Sequence, residues 1–131
     1  MPPRPLIRLL LLAVVVALGT GALAGCGGSA GATEGDDGSG IAVAGLDSMR
    51  FAPESITVKA GQPVRIVFRN QGILVHDYIS EGADRNVRLA NVPGGRTASG
   101  TFQANKPGTY NVVCIQPAHK EAGMVGKIVV E

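Results

Sequence analysis

Short alternations of apolar and polar residues run through the chain from Ile41 to its end. Ile56 and Val58 alternate within Ser55–Lys59. Val64, Ile66 and Phe68 alternate with Arg65, Val67 and Arg69, the period-two signature of a strand with one core face and one largely wet face. Ile41–Ala44 opens the series. Ile73–Ser80 is apolar almost throughout, with His76 in its middle; Thr97–Ala104 turns Phe102 inward; Tyr110–Cys114 and Val125–Val130 complete it. Between them stand turn signals: Ala60-Gly61-Gln62-Pro63, Asn70-Gln71-Gly72, Pro93-Gly94-Gly95 and Asn105-Lys106-Pro107-Gly108. Residues 81–96 are polar and irregular, with room for a short strand or a turn of helix over 87–92. No segment predicts a longer helix. Seven or eight short strands separated by Gly/Pro turns predict an all-β, Greek-key sandwich.

The first 40 residues follow a different pattern. Arg4 and Arg8 precede an unbroken apolar run, Leu9–Leu18, and then the small residues of 19–25. This is the layout of an export signal over 1–25. A membrane-spanning helix needs about 20 apolar residues, twice the length of this run. Leu23-Ala24-Gly25-Cys26 resembles the lipobox of bacterial lipoproteins, which implies cleavage before Cys26 and diacylation of its thiol. An uncleaved anchor or plain secretion are the alternatives. The rest of 26–40 is Gly/Ser/Ala-rich with Glu34, Asp36 and Asp37 and lacks apolar periodicity, so it predicts a flexible tether with a reach of about 20 Å. The expected organisation is signal (1–25), lipidated cysteine and linker (26–40) and one folded domain (41–131). Its expected location is the outer face of the cytoplasmic membrane, periplasmic or cell-surface.

Charge narrows the function classes. From Ile41 onward ten basic and seven acidic residues are scattered along the chain. Nucleic-acid binding needs a clustered basic footprint, so no nucleic-acid partner is expected. Tryptophan is absent and the three Phe and two Tyr form no run, so there is no visible platform for stacking bases or sugars.

Chemistry concentrates in one stretch, Cys114-Ile115-Gln116-Pro117-Ala118-His119-Lys120-Glu121-Ala122-Gly123-Met124, with spacing C-x4-H-x4-M. Thiol, imidazole and thioether are soft or borderline ligands that together suit copper. A blue-copper centre uses two histidines, one cysteine and a weak axial Met, and the chain's only other histidine is His76. Taken singly, Cys114 and Met124 are ordinary core residues, and His76 is an ordinary core histidine with a partner. Zinc also accepts Cys and His, but a thioether suits it poorly. Nucleophilic Cys-His catalysis would leave Met124 without a role and the histidine without an acidic orienter. The chain is therefore not expected to be an enzyme.

These residues resemble the cupredoxins, the small blue-copper family that includes plastocyanin, auracyanin and rusticyanin. The resemblance rests on Gly61-Gln62-Pro63-Val64, Asn70, His76-Asp77, Pro107-Gly108-Thr109-Tyr110, the ligand stretch and Gly123-Met124-Val125-Gly126, and it covers nearly all of 41–131. It implies one type 1 copper ion held by His76, Cys114, His119 and Met124. Two extra residues between Cys114 and His119 set the loop apart from plastocyanin and make it similar to auracyanin and rusticyanin. Many relatives carry Asn or Ser where this chain has Asp77, a side chain that commonly ties the two ligand loops together. A carboxylate there can accept backbone hydrogen bonds but not donate one. The family implies a monomeric carrier of single electrons between redox partner proteins. His119 would be the electron port, within an apolar patch of Pro117, Ala118, Ile73 and Leu74. The alternative is a module that buffers or delivers copper, for example to an oxidase.

Overall fold

In a computed structural model, residues 39–131 are described. The expected export signal, Cys26 and the expected linker through residue 38 lie outside them. Among the described residues nine strands follow in order: β1 (Ile41–Leu46), β2 (Arg50–Ala52), β3 (Ser55–Val58), β4 (Val64–Asn70), β5 (His76–Ser80), β6 (Arg88–Val92), β7 (Thr97–Phe102), β8 (Gly108–Val113) and β9 (Val125–Val130). They form two sheets, a four-stranded one in the order β2-β1-β4-β7 and a five-stranded one in the order β3-β9-β8-β5-β6. Pairing is antiparallel except for β1 with β4 and β3 with β9. This is the expected Greek-key sandwich, with nine strands in place of seven or eight. The extra strand is β2, whose three residues are too few to show a period; it hairpins back on β1 through Gly45↔Phe51.

The core lies between the sheets. Val43, Phe51, Ile56, Val58, Ile66, Phe68, Val87, Leu89, Phe102, Val112, Ile128 and Val130 are all buried there. Beneath the metal-ligand end, Phe51 meets Phe68 and Tyr78 edge-on at centroid distances of 6.1 and 5.1 Å, and Phe68 stacks on Tyr78 at 5.6 Å. Such pairs add about 0.5–1.5 kcal/mol each beyond their burial. Gly45 makes room for this cluster. A Cβ there would stand 2.5 Å from the Phe68 ring and 3.6 Å from the His76 Cβ.

Two local expectations change. Val67, expected on the wet face of β4, is buried, because the backbone at Gly40 lies against it and against Arg65. Ile73–Ser80 is not one strand: only His76–Ser80 is, so His76 opens β5 instead of sitting in its middle. The backbone of 72–74 is held by side chains instead. Asn70 Nδ2 donates to Leu74 O at 2.7 Å and Val92 O at 2.9 Å, and Asn70 Oδ1 accepts from Gly72 N at 3.0 Å. Asp47 accepts from Ile73 N and Leu74 N. With those groups already satisfied, no ladder is needed. The irregular 81–96 segment contributes β6 and buries Val87, Leu89 and Val92.

Topology gathers three loops at one end. Because β5 and β8 are antiparallel, paired through Ile79↔Val113 and Ser80↔Val112, the start of β5 lies beside the end of β8. The parallel register Gly45↔Asn70 brings the β1–β2 turn to the same place.

Candidate metal centre

Cys114 follows directly on β8 and Met124 directly precedes β9. The pair Val113↔Val125 closes the hairpin below them. Above it the ligand loop is wound on its own backbone bonds: Cys114 N to Met124 O at 3.2 Å, His119 N to Gln116 O at 3.1 Å and Met124 N to His119 O at 2.9 Å. Cys114, Met124 and His76 are fully buried, whereas His119 is half-buried. Three of the sequence-predicted ligands, His76, Cys114 and His119, are thus brought together from β5 and a single loop, and Met124 is buried at the end of that loop.

The donor atoms converge. The Nδ1 atoms of His76 and His119 are 3.2 Å apart, and Cys114 Sγ is 3.4 Å from His119 Nδ1. The ligand atoms of His76, Cys114 and His119 all lie within 4.8 Å of one another. A single ion with bonds of about 2.0–2.3 Å can reach donors at this spacing. The residues therefore fit the soft, thiolate-bearing site that their chemistry suggested.

Around these donors stands a second layer of polar contacts. Asp77, fully buried, sits at the register shift between β5 and β6. Its amide donates to Cys114 Sγ at 3.3 Å. Its Oδ1 accepts from Asn91 N at 2.6 Å and Gln116 Nε2 at 3.1 Å; Oδ2 accepts from Ile115 N at 3.2 Å and Gln116 Nε2 at 3.2 Å. Gln116 Nε2 also reaches Asn91 Oδ1 at 3.0 Å. The carboxylate thus ties the ligand loop to β5 and β6, as an acceptor only.

Burial pushes the Cys114 thiol above its ordinary pKa. Amide hydrogen bonds from Asp77 and Gln116 pull it down, and the Asp77 carboxylate pushes it up again. A bound cation reverses this balance, since metal coordination deprotonates a thiol outright. Asp47 was not expected at the site, yet its Oδ1 lies 3.1 Å from His76 Nε2. The Ile73 amide holds its carboxyl below the ordinary range against desolvation, the next largest effect, and the Leu74 amide and the His76 ring add to the lowering. Asp47 lies 29 residues before His76 in a polar turn, and no spacing rule points to it. Asn91 and Gln116 gave no signal either, although Gln116 stands inside the ligand loop.

The segments that carry His76 and His119 expose several apolar side chains, beside the charged Lys120 and Glu121. Ile73 is 87% exposed, Ile115 52% and Leu74 41%, and Val75, Pro117 and Ala118 are exposed as well.

Comparison with known proteins agrees with this arrangement. The model of the cupredoxin-like domain matches residues 10–130. The copper-resistant cuproprotein CopI of Rubrivivax gelatinosus is 35% identical over 101 residues, covering 64% of this chain and 61% of that protein; the chain thus spans about three-fifths of that relative's length. The reduced auracyanin of the photosynthetic bacterium Roseiflexus castenholzii superposes with a TM-score of 0.61 at 21% identity, covering 70% of this chain and 95% of that one. Auracyanin A, a blue copper protein of Chloroflexus aurantiacus, superposes with a TM-score of 0.58 at 27% identity, covering 70% and 97%. Family and neighbours imply copper as the cofactor, with His76, Cys114, His119 and Met124 as its candidate type 1 site. The chain belongs to the cupredoxin-like family.

Proposed function

We propose that the protein is a non-enzymatic type 1 copper protein that carries single electrons between redox partners while tethered outside a membrane through Cys26. The observation that carries this reading is the geometry of a closed, pre-formed site. Three ligand atoms already stand within 4.8 Å of one another, and Asp77 braces the loops that bear them. Copper in such a site supplies one-electron exchange between Cu(II) and Cu(I). The sandwich and the Asp77 contacts keep His76, Cys114 and His119 in one arrangement, so electron gain or loss requires little movement of the chain. His119, the only half-buried member of the set, supplies the route to the surface. The apolar rim of Ile73, Leu74, Pro117 and Ala118 suits the small, transient interfaces that electron carriers use.

A second reading is extracytoplasmic copper buffering or delivery, favoured by the similarity to a copper-resistant cuproprotein. Copper addition separates the two. An intense visible thiolate band with Cu(II), lost in Cys114→Ser, supports the carrier. A colourless protein that takes up only Cu(I) would replace it with the handling module.

A further inference from the structure

The loop that leads into His76 is held by a residue belonging to neither ligand segment. Asp47 stands in the turn between β1 and β2, and its two oxygens make three contacts on the other side of the site. Oδ2 accepts from Ile73 N at 2.8 Å; Oδ1 accepts from Leu74 N at 3.2 Å and lies 3.1 Å from His76 Nε2. The approach is close enough to demand a glycine opposite: any Cβ on Gly72 would collide with the Asp47 carboxylate. A carboxylate only accepts, so the ring proton of His76 belongs on Nε2. That leaves Nδ1, 3.2 Å from His119 Nδ1 and within the 4.8 Å group that includes Cys114 Sγ, as the nitrogen free to hold an ion.

We propose that Asp47 is a positioning residue of the copper site, fixing the tautomer and ring orientation of His76 and making it a stronger donor to the oxidised ion. A histidine ligand whose second nitrogen donates to a carboxylate gains basicity, and loss of such a partner costs about 10–100-fold in metal affinity. The higher charge of Cu(II) makes it more responsive than Cu(I) to that basicity, so Asp47 lowers the reduction potential. Its side chain is 34% exposed, so solvent screens part of the effect. The proposal rests on the copper-site reading above, and holds for a carrier and for a copper-handling module alike.

The test compares full-length wild type with Asp47→Asn, which keeps one acceptor oxygen without the charge, and Asp47→Ala, which keeps neither. Cu(II) and Cu(I) affinities, the reduction potential and the thiolate band are measured on each. Asp47→Ala is expected to weaken Cu(II) binding about 10–100-fold and Cu(I) binding less. Its potential should rise by about 59 mV for each tenfold difference between the two losses, with Asp47→Asn between it and wild type. Variants that lose stability while keeping the wild-type potential and affinity ratio would reduce Asp47 to a loop scaffold and overturn the proposal. Imidazole nitrogen NMR of the wild-type Cu(I) protein adds a readout independent of variant folding. A slowly exchanging proton on His76 Nε2 is expected, and a proton on Nδ1 would overturn the assignment. If wild type takes up no copper in the thiolate site, it is the site reading that fails, and the variants then have nothing to modulate.

Discussion

The Asp77 carboxylate lies with Oδ2 3.9 Å from the sulfur of Cys114, while the amide of the same residue donates to that sulfur at 3.3 Å. One residue therefore both stabilises and opposes negative charge on the ligand thiolate. The carboxylate is fully buried, so its charge acts with little screening. Two unit charges about 4 Å apart interact by about 4 kcal/mol at an effective dielectric of ~20. The amide donors around Asp77 offset part of this.

Asp77→Asn keeps the shape and removes the charge. The copper potential should rise by tens of millivolts, since a negative charge beside the site favours the oxidised ion, at about 59 mV per tenfold change in the affinity ratio. Whichever way the new amide faces, its NH2 meets a backbone N–H of Asn91 or Ile115, which should cost about 1–3 kcal/mol of stability. Voltammetry and denaturant titration measure the two effects separately. A potential at or below wild type would show that the charge is fully neutralised by its donors.

Gly45→Ala should destabilise the domain by about 1–3 kcal/mol through overpacking, because the new methyl meets the Phe68 ring. Phe68 underlies the site, so the thiolate band should broaden or shift as His76 is displaced. Unchanged stability and spectrum in that variant would mean that the aromatic cluster repacks freely.

Copper should stabilise a domain already folded without it. Because the ligand loop is closed by its own backbone bonds and by Asp77, the apo protein should retain amide protection in β8, β9 and the loop between them. Free copper at a thousandfold excess over Kd should add about 4 kcal/mol. Loss of loop protection on metal removal, measured by hydrogen exchange, would contradict a pre-formed site.

A charge introduced into the apolar rim should disturb encounters and nothing else. Ile73→Asp alters a side chain that is 87% exposed, so stability and spectrum should stay at wild-type values. Electron self-exchange between Cu(I) and Cu(II) copies should slow by about tenfold or more at low salt and recover as salt is raised. If the rate is unaffected, electrons leave by another face.

The proposed membrane attachment rests on the N-terminal segment, outside the described residues. Cys26→Ser should release the protein from the membrane fraction after expression in a bacterial host. Retention would point to an uncleaved anchor in place of a lipid.

Much of this architecture was legible in the chain. The alternations at Ile56/Val58 and Val64/Ile66/Phe68 mark strands because side chains on a pleated sheet alternate by face, and C-x4-H-x4-M marks the loop because its ligands are rare residue types in close succession. What escaped had non-local causes. The burial of Val67 depends on the backbone near Gly40 crossing over it. Residues 73–75 read as strand because Ile, Leu and Val favour one, whereas Asn70 and Asp47 capture the backbone first. Asp47, Asn91 and Gln116 join the site only through register and side-chain contact, which composition does not encode.

The ligand loop leaves and re-enters the sandwich through adjacent residues, with Val113 facing Val125 and Cys114 bonded to Met124. Its stem is therefore the same whatever the number of residues between the two ends. Insertion or deletion around His119 can vary without a change in any strand register below. The frame thus fixes where the two ends of the loop stand, and only the part of the loop beyond Gln116, which Asp77 anchors, is left to set what the centre shows to solvent.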